Sequence, residues 1–198
     1  MDVGSLLTGI FSAFGLSASA GLNAYIPLLA VSLLGRFTNL LTLKEPWNTL
    51  ESWWIIALLV VLIIVEFFAD KVPAINHIND AIQTFVRPAA GAVAFAASAQ
   101  VVTDIHPVLS LAAGLLVAGG VHVAKAGALR PTVTATTGGT GNIFVSILED
   151  ILATVLSILA ILIPVIIGAV LVLVVSWLIW RMWKKENERM AREQQGAA

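Results

Sequence analysis

The feature of the sequence that most restricts its fold is a set of apolar runs too long for a soluble domain of this size. Hydrophobic residues make up 59% of the 198 residues and charged residues only 12%, whereas soluble domains carry about 25% charged residues. A chain this poor in charge cannot cover its surface with polar groups, so lipid is expected to solvate much of it. The proportions therefore predict an integral membrane protein.

A membrane-spanning helix needs about 20 mainly apolar residues, because each residue adds about 1.5 Å across a hydrocarbon core of about 30 Å. The runs Trp53–Phe68, Val108–Ala124 and Ile151–Trp180 fit this requirement. Leu6–Leu34 and Pro88–Val102 are weaker, and the second, rich in Ala and Gly, suits a helix packed tightly in a bundle. The predicted fold is all-α and polytopic, with about five spans, broken or re-entrant helices and an internal repeat.

Basic residues directly after the last apolar run predict the orientation of the chain. Cytoplasmic ends of spans carry an excess of Lys and Arg, so the C-terminus is expected in the cytoplasm. The residues concerned are Arg181, Lys184, Lys185, Arg189 and Arg192. The predicted organisation is an integral membrane domain over 1–183 and a polar tail over 184–198. The net charge of −1 argues against a nucleic-acid partner, which requires a concentrated basic surface.

Two segments that interrupt the apolar pattern resemble each other. In Ser17–Ile26 and Thr134–Ile143, hydroxyl residues align with hydroxyl residues, Ala with Ala, Gly with Gly and Ile with Ile. They predict repeat units 5–70 and 130–182 connected by 71–129, as in transporters whose site is built from discontinuous helices. The repeats are inverted if the first segment is re-entrant and parallel if it crosses. The alternative is that the small residues only let helices approach closely.

Two Arg-Pro steps, Arg87-Pro88 and Arg130-Pro131, predict an anion site. Pro suits the first turn of a helix, so each Arg would lie near free backbone N–H groups, which together bind anions. The alternative is anchoring to lipid headgroups. The predicted substrate-binding residues are Ser17, Ser19, Asn23, Arg87, Arg130, Thr134, Thr136, Thr140 and Asn142.

Four acidic residues lie within or beside apolar runs, where ionisable groups are costly and indicate function. Glu66 and Asp70 are one helical turn apart, and Glu149 and Asp150 interrupt apolar sequence. Apolar surroundings favour the protonated form of a carboxyl group, so these four residues are predicted to couple the protein to protons. The alternative is structural ion pairing, for example with Lys125 or Arg130.

Enzyme motifs are scarce in the sequence, since it contains no P-loop, HExxH or GxSxG pattern. His77, Asp80 and His122 are weak candidates for metal ligands, but a spacing of three residues between His77 and Asp80 is common by chance. The sequence predicts no cofactor and does not favour an enzyme.

The segments Ser17–Pro27 (SASAGLNAYIP), Glu66–Arg87 (EFFADKVPAINHINDAIQTFVR) and Lys125–Asn142 (KAGALRPTVTATTGGTGN) carry a family resemblance. In them the chain resembles a family of bacterial multi-pass membrane proteins known as domain of unknown function, number 4126. The resemblance covers nearly the whole chain and includes Glu149-Asp150. It implies a location in the bacterial cytoplasmic (inner) membrane but implies no activity.

These patterns together predict a small membrane transporter or translocase for an anionic substrate, phosphate-bearing or lipid-linked, coupled to protons. The expected partners are the bilayer, an anionic small molecule or lipid headgroup, and further copies of the chain in a homo-oligomer. Three alternatives stay open: an oligomeric channel, a non-transporting scaffold or accessory subunit, and an intramembrane metal enzyme around Glu66, Asp70, His77 and His122.

Overall fold

A computed structural model describes residues 3–39, 41–70, 73–102, 105–163, 170 and 173–185. For residues 3–8, 73–78 and 100–102 it describes the backbone only. Every regular element in these ranges is helical, which confirms the predicted all-α class. Most of the tail predicted over 184–198 lies outside them. The elements are α1 (Val3–Leu22), α2 (Tyr25–Phe37), a 3-10 turn (Trp47–Glu51), α3 (Trp53–Ala69), α4 (Pro73–Val102), α5 (Pro107–Ala124), a π turn (Lys125–Leu129), α6 (Arg130–Thr137) and α7 (Gly141–Leu162); residues 173–185 are also helical.

The apolar stretch Leu6–Leu34 forms a helical hairpin rather than a single helix. Asn23 interrupts it, and its side-chain oxygen accepts hydrogen bonds from the backbone N–H groups of Tyr25 and Ile26 at 3.0 and 3.1 Å. These bonds satisfy donors that the first turn of α2 would otherwise leave open. α1 runs antiparallel to α7, and α2 returns beside α3 and α7.

Small residues bring the backbones of α1, α4 and α5 close together. A Cβ atom added to Gly91 would lie 2.2 Å from the Ala118 Cβ, and one added to Gly114 would lie 2.4 Å from the Gly91 carbonyl oxygen. Ser17 Oγ donates to the Gly114 carbonyl at 2.8 Å across the same contact. The prediction that Pro88–Val102 packs tightly within the bundle is therefore confirmed.

Two of the described helices are long and apolar enough to cross a membrane: Pro107–Thr137, which joins α5, the π turn and α6, and Gly141–Leu162. Three apolar helices are shorter: Gly9–Leu22, Tyr25–Phe37 and Trp53–Ala69. Large apolar side chains lie exposed along the outer faces of α3 and α7, while serine, glutamate and arginine side chains lie buried inside. The bundle is thus apolar outside and encloses polar and charged side chains among buried alanine and leucine residues.

Candidate functional site

Most ionisable side chains of the bundle meet in one layer, here called the charged cluster. It forms where α3 ends, α1 gives way to α2, α4 passes its midpoint, α5 meets α6, and α7 completes its second turn. It holds five carboxyl groups against three basic side chains and one imidazole, and most of these groups are buried. Its members are Glu66, Asp70, Asp80, Arg87, His122, Lys125, Arg130, Glu149 and Asp150.

Glu66 and Arg87 form the most deeply buried ion pair of the cluster. Arg87 Nη2 donates to Glu66 Oε1 at 3.0 Å, and both side chains are 1% exposed. Glu66 Oε2 has no hydrogen-bond partner among the described residues. Leaving a buried acceptor unpaired costs about 1–3 kcal/mol, so this carboxyl group has room for one more hydrogen-bond donor or a proton.

His122 connects this pair to the edge of the cluster. Its Nδ1 lies 3.4 Å from Arg87 Nη1, and its Nε2 lies 3.2 Å from the hydroxyl oxygen of Thr84. Arg87 can only donate, so Nδ1 is the accepting nitrogen and Nε2 carries the hydrogen. The Thr84 hydroxyl in turn donates to the Asp80 carbonyl at 2.8 Å.

Glu149 joins the remaining two cations. Its Oε2 atom lies 2.6 Å from Lys125 Nζ and 3.2 Å from Arg130 Nη2. Arg130 also reaches Asp70 at 3.5 Å and pairs with Asp80. Its guanidinium thereby links α6 to α3, α4 and α7.

Lys125 and Asn23 fix the tip of the α1–α2 hairpin to the cluster. Lys125 Nζ donates to the Leu22 carbonyl at 3.1 Å, where a cation is favourable because the C-terminal carbonyl groups of a helix carry partial negative charge. Asn23 Nδ2 donates to Asp150 Oδ1 at 2.9 Å. The hairpin tip is therefore part of the cluster.

The predicted proton-coupling residues Glu66, Asp70, Glu149 and Asp150 all lie in this cluster, as do the predicted anion-binding residues Asn23, Arg87 and Arg130. Ser17 and Ser19 do not join them. Their hydroxyl groups are used in helix packing, with Ser17 bound to Gly114 and Ser19 bound at 2.8 Å to both the Ala153 carbonyl and the Ser157 hydroxyl. They face neighbouring helices because α1 is enclosed by α4, α5 and α7.

The threonines of the second predicted segment lie on the surface instead of lining a buried site. Thr134, Thr136 and Thr140 are exposed, and Thr136 and Thr140 donate to carbonyls of Thr132 and Thr137 at 2.9 Å. Asn142, only partly buried, donates to Thr134 at 2.8 Å. Here α6 extends beyond the apolar part of its long helix, which explains the exposure.

The predicted backbone breaks occur in both echoing segments, but their surroundings differ. The first break, at Asn23, is buried, whereas the second is a turn at Gly138 and Gly139 with φ of 63° and 91°. Only glycine adopts such angles without strain, and a side chain added at either glycine would meet open space. Only the first break therefore contributes a group, Asn23, to the charged cluster.

The described residues contain no group of three or more His, Asp or Glu side chains placed to hold a metal ion. Asp80 is engaged by Arg130, and both ring nitrogens of His122 have protein neighbours. The side chain of His77 lies outside the described residues. Asp80 and His122 therefore both lie in the charged cluster, where protein groups engage them and no metal site is formed among the described residues.

Sequence reasoning missed several polar side chains, buried or half-buried, that adjoin the cluster. Ser146 Oγ donates to Asp70 Oδ2 at 2.8 Å and Asn79 Nδ2 to Asp70 Oδ1 at 2.6 Å, while Gln83 is 1% exposed. Asn79, Gln83 and Arg87 recur every fourth residue, which puts them on one face of α4. That polar stripe was the signal that could have found them.

The fold and the site define the class of the protein, which is a helical bundle with an apolar exterior and an ion-paired interior. The chain belongs to the family described as "Domain of unknown function (DUF4126)", whose sequence model matches residues 10–185. This confirms the resemblance seen in the sequence. No curated protein and no solved structure matches the chain.

Proposed function

We propose that the protein is a small multi-pass membrane transporter that moves an anionic substrate together with protons through the charged cluster. The membrane setting is supported by the apolar exterior of α3 and α7 and by the two long apolar helices. Aromatic and basic side chains suited to a membrane interface support it as well. Arg36 stacks on Trp53 at 4.4 Å, and Arg181 lies 5.2 Å from the Trp177 ring.

The observation that carries the proposal is that each buried arginine is held by a carboxyl group able to take a proton. Arg87 pairs with Glu66 and Arg130 with Glu149. A carboxylate and an anionic substrate compete for the same guanidinium group, which binds carboxylate and phosphate equally well in its planar fork. Protonation of the glutamate removes the competitor, so proton binding and anion binding favour each other.

Two features of the cluster favour proton binding. Glu66 Oε2 has no hydrogen-bond partner in the described part of the chain, which leaves this glutamate an oxygen for a proton. The carboxyl groups also outnumber the basic side chains by five to three. Excess negative charge in apolar surroundings is relieved by proton uptake.

The geometry revises the expected substrate-binding set. Arg87, Arg130 and Lys125 supply the positive charge, and Asn23 supplies an amide donor beside them. Ser17 and Ser19 serve the packing of α1, and the threonines of α6 are exposed and bond within the α6–α7 hairpin. The bilayer location, the cytoplasmic C-terminus and a homo-oligomer belong to the same proposal.

The test is a flux assay in sealed liposomes that contain the purified protein and an internal pH dye. Addition of inorganic phosphate or succinate outside, at a more acidic external pH, is expected to acidify the lumen faster than in protein-free liposomes. The double variant Glu66→Gln with Arg87→Gln keeps the charge balance and is expected to lose this flux. The matched control Arg36→Gln changes an exposed arginine outside the cluster and keeps it.

Acidification that does not depend on either anion, or equal flux in the double variant, would contradict the proposal. The ion pairs also tie α3, α4, α6 and α7 together, which favours a scaffold as the second candidate. Liposomes that stay impermeable to both anions and to protons would support that candidate.

A further inference from the structure

The buried positions of the long helix Pro107–Thr137 shift register at the charged cluster. Ser110, Gly114, Ala118 and His122 are buried at every fourth position, and Lys125 continues the same face. In an unbroken α-helix the next position on that face is residue 129. Instead, Leu129 is 47% exposed, whereas Arg130 is only 6% exposed.

The π turn Lys125–Leu129 causes this shift. The backbone N–H of Arg130 donates to the carbonyl of Lys125, five residues earlier. Residues five apart thereby share a face, whereas in an α-helix they lie about 140° apart. Lys125 and Arg130 consequently reach the same oxygen of Glu149, at 2.6 and 3.2 Å.

Ion pairs at its two ends hold the π turn in place. The residues between, Ala126 to Leu129, are exposed, and a side chain added at Gly127 would meet open space. Single π turns are rare and occur often at functional sites. The turn therefore depends on the carboxylate that Lys125 and Arg130 share.

The helix that follows the turn has one buried residue, Arg130. Beyond it the α6 threonines donate within their own helix, and α6 is joined to α7 by the open Gly138–Gly139 turn. Rotation of α6 would thus break few contacts other than those of Arg130 and the hydrogen bond from Asn142 to Thr134. Arg130 is the tether of α6.

We propose that the π turn is a conformational switch, which reverts to α-helix and rotates α6 when Glu149 becomes neutral. Lys125 and Arg130 then face each other without the carboxylate between them, and the α register relieves their repulsion by carrying them to different faces. The rotation amounts to about 100°, the angle of one residue in an α-helix. Rotation of α6 opens the charged cluster at the Gly138–Gly139 end.

The groups that face Glu149 decide how far this rotation goes. Lys125 and Arg130 contact it directly, while Asp70 of α3 and Asp80 of α4 hold Arg130 from the other side. Asp150, beside it on α7, is engaged by Asn23. Asp70 and Asp80 attract Arg130 and oppose the rotation. When Glu149 is neutral, the repulsion between Lys125 and Arg130 turns α6 against this attraction. The inference rests on the proposed function only in naming a proton as the agent that neutralises Glu149.

The test is a distance measurement between nitroxide labels by double electron–electron resonance. The chain has no cysteine, so Thr136→Cys on α6 and Ile151→Cys on α7 take labels specifically at two exposed sites. Glu149→Gln is expected to move the mean distance by about 5 Å or more, since a helix with side chains is about 10 Å wide. A control pair, Gly120→Cys and Ile158→Cys, lies outside the turn and is expected to stay unchanged.

Deletion of Ala128 supplies a second variant. It removes the extra residue, so the helix becomes continuous while the arginine stays on the buried face, four positions after Lys125. In this background Glu149→Gln is expected to leave the distance between the α6 and α7 labels unchanged.

An unchanged distance in Glu149→Gln, or the same shift in the deletion background, would overturn the switch. If Glu149→Gln does not fold, the distance is followed against pH in the doubly labelled chain that retains Glu149. A distance that stays constant down to the pH of unfolding would also overturn the switch. The flux assay and the distance measurement test different proposals. If α6 moves but no flux is seen, only the proposed function is contradicted. If flux is seen but α6 does not move, only the switch is contradicted.

Discussion

Replacement of Arg87 by glutamine tests whether the buried pair with Glu66 is as tightly coupled as its geometry indicates. Arg87→Gln leaves the Glu66 carboxylate buried, with its Oε1 deprived of a donor that now lies at 3.0 Å and its Oε2 already without a partner in the described residues. Glu66→Gln has the converse effect, since among the described residues it leaves the guanidinium with His122 as its hydrogen-bond neighbour. The double variant removes both charges; glutamine matches glutamate in shape and is shorter than arginine.

The magnitude follows from the burial of the pair, both members of which are 1% exposed. Two unit charges about 4 Å apart attract by about 4 kcal/mol at an effective dielectric constant of about 20. Breaking a buried pair from one side costs about 3–5 kcal/mol, whereas replacing both members by uncharged groups is often nearly neutral. We therefore expect each single variant to lose about 3–5 kcal/mol and the double variant about 1 kcal/mol or less.

Thermal unfolding of the purified protein in detergent, followed by the fluorescence of its six tryptophans, measures these differences. For a chain of this size 1 kcal/mol shifts the midpoint by about 2–4 °C, so each single variant is expected to unfold about 10 °C below the parent. The Arg87→Gln penalty should also shrink as the pH falls, because a protonated Glu66 needs no counter-ion. Additive losses in the double variant, or a penalty independent of pH, would refute the reasoning.

Two further predictions concern the packing of the bundle. Gly91→Ala is expected to destabilise the protein by about 1–3 kcal/mol, because its Cβ would lie 2.2 Å from the Ala118 Cβ. Gly120→Ala, whose Cβ would meet open space, should stabilise it by about 0.5–1 kcal/mol. Unfolding midpoints that move in the same direction in both variants would contradict the close helix contact. Ser19→Ala is expected to lower the free energy of unfolding by about 1–3 kcal/mol, because polar groups at Ala153 and Ser157 lose their partner. Thr136→Ala is expected to change it by no more than about 0.5 kcal/mol. Equal effects of the two variants in chemical unfolding would show that Ser19 is not a packing residue.

Several local features of the fold were predictable because local chemistry decides them. Apolar runs of sufficient length gave the helical class, and the Ala and Gly content of Pro88–Val102 gave its close packing. The segments Ser17–Ile26 and Thr134–Ile143 were predicted to interrupt the helices. The breaks fall within them, at Asn23, whose side chain caps α2, and at Gly138–Gly139, where glycine accepts positive φ. The acidic residues in apolar surroundings pointed to an interior site for the same kind of reason: a charge there needs a partner.

The sequence suggested Lys125 or Arg130 as ion-pair partners of the acidic residues only as an alternative, and the tertiary structure decided which groups meet. The pairing of Glu66 with Arg87, and of both Lys125 and Arg130 with Glu149, depends on the depth and rotation of helices far apart in sequence. Contacts between small residues of α1, α4 and α5 set that depth, and one extra residue in the π turn sets the rotation of Arg130.

The same cause separates Ser19 from Thr136, which the sequence placed in one site. One hydroxyl is enclosed between helices, and the other lies on the exposed face of α6. Residue types thus determined that polar groups would lie inside this protein, whereas helix packing determined which of them became neighbours. The reason is that the partner of a buried side chain lies on a neighbouring helix, so it depends on how the two helices pack.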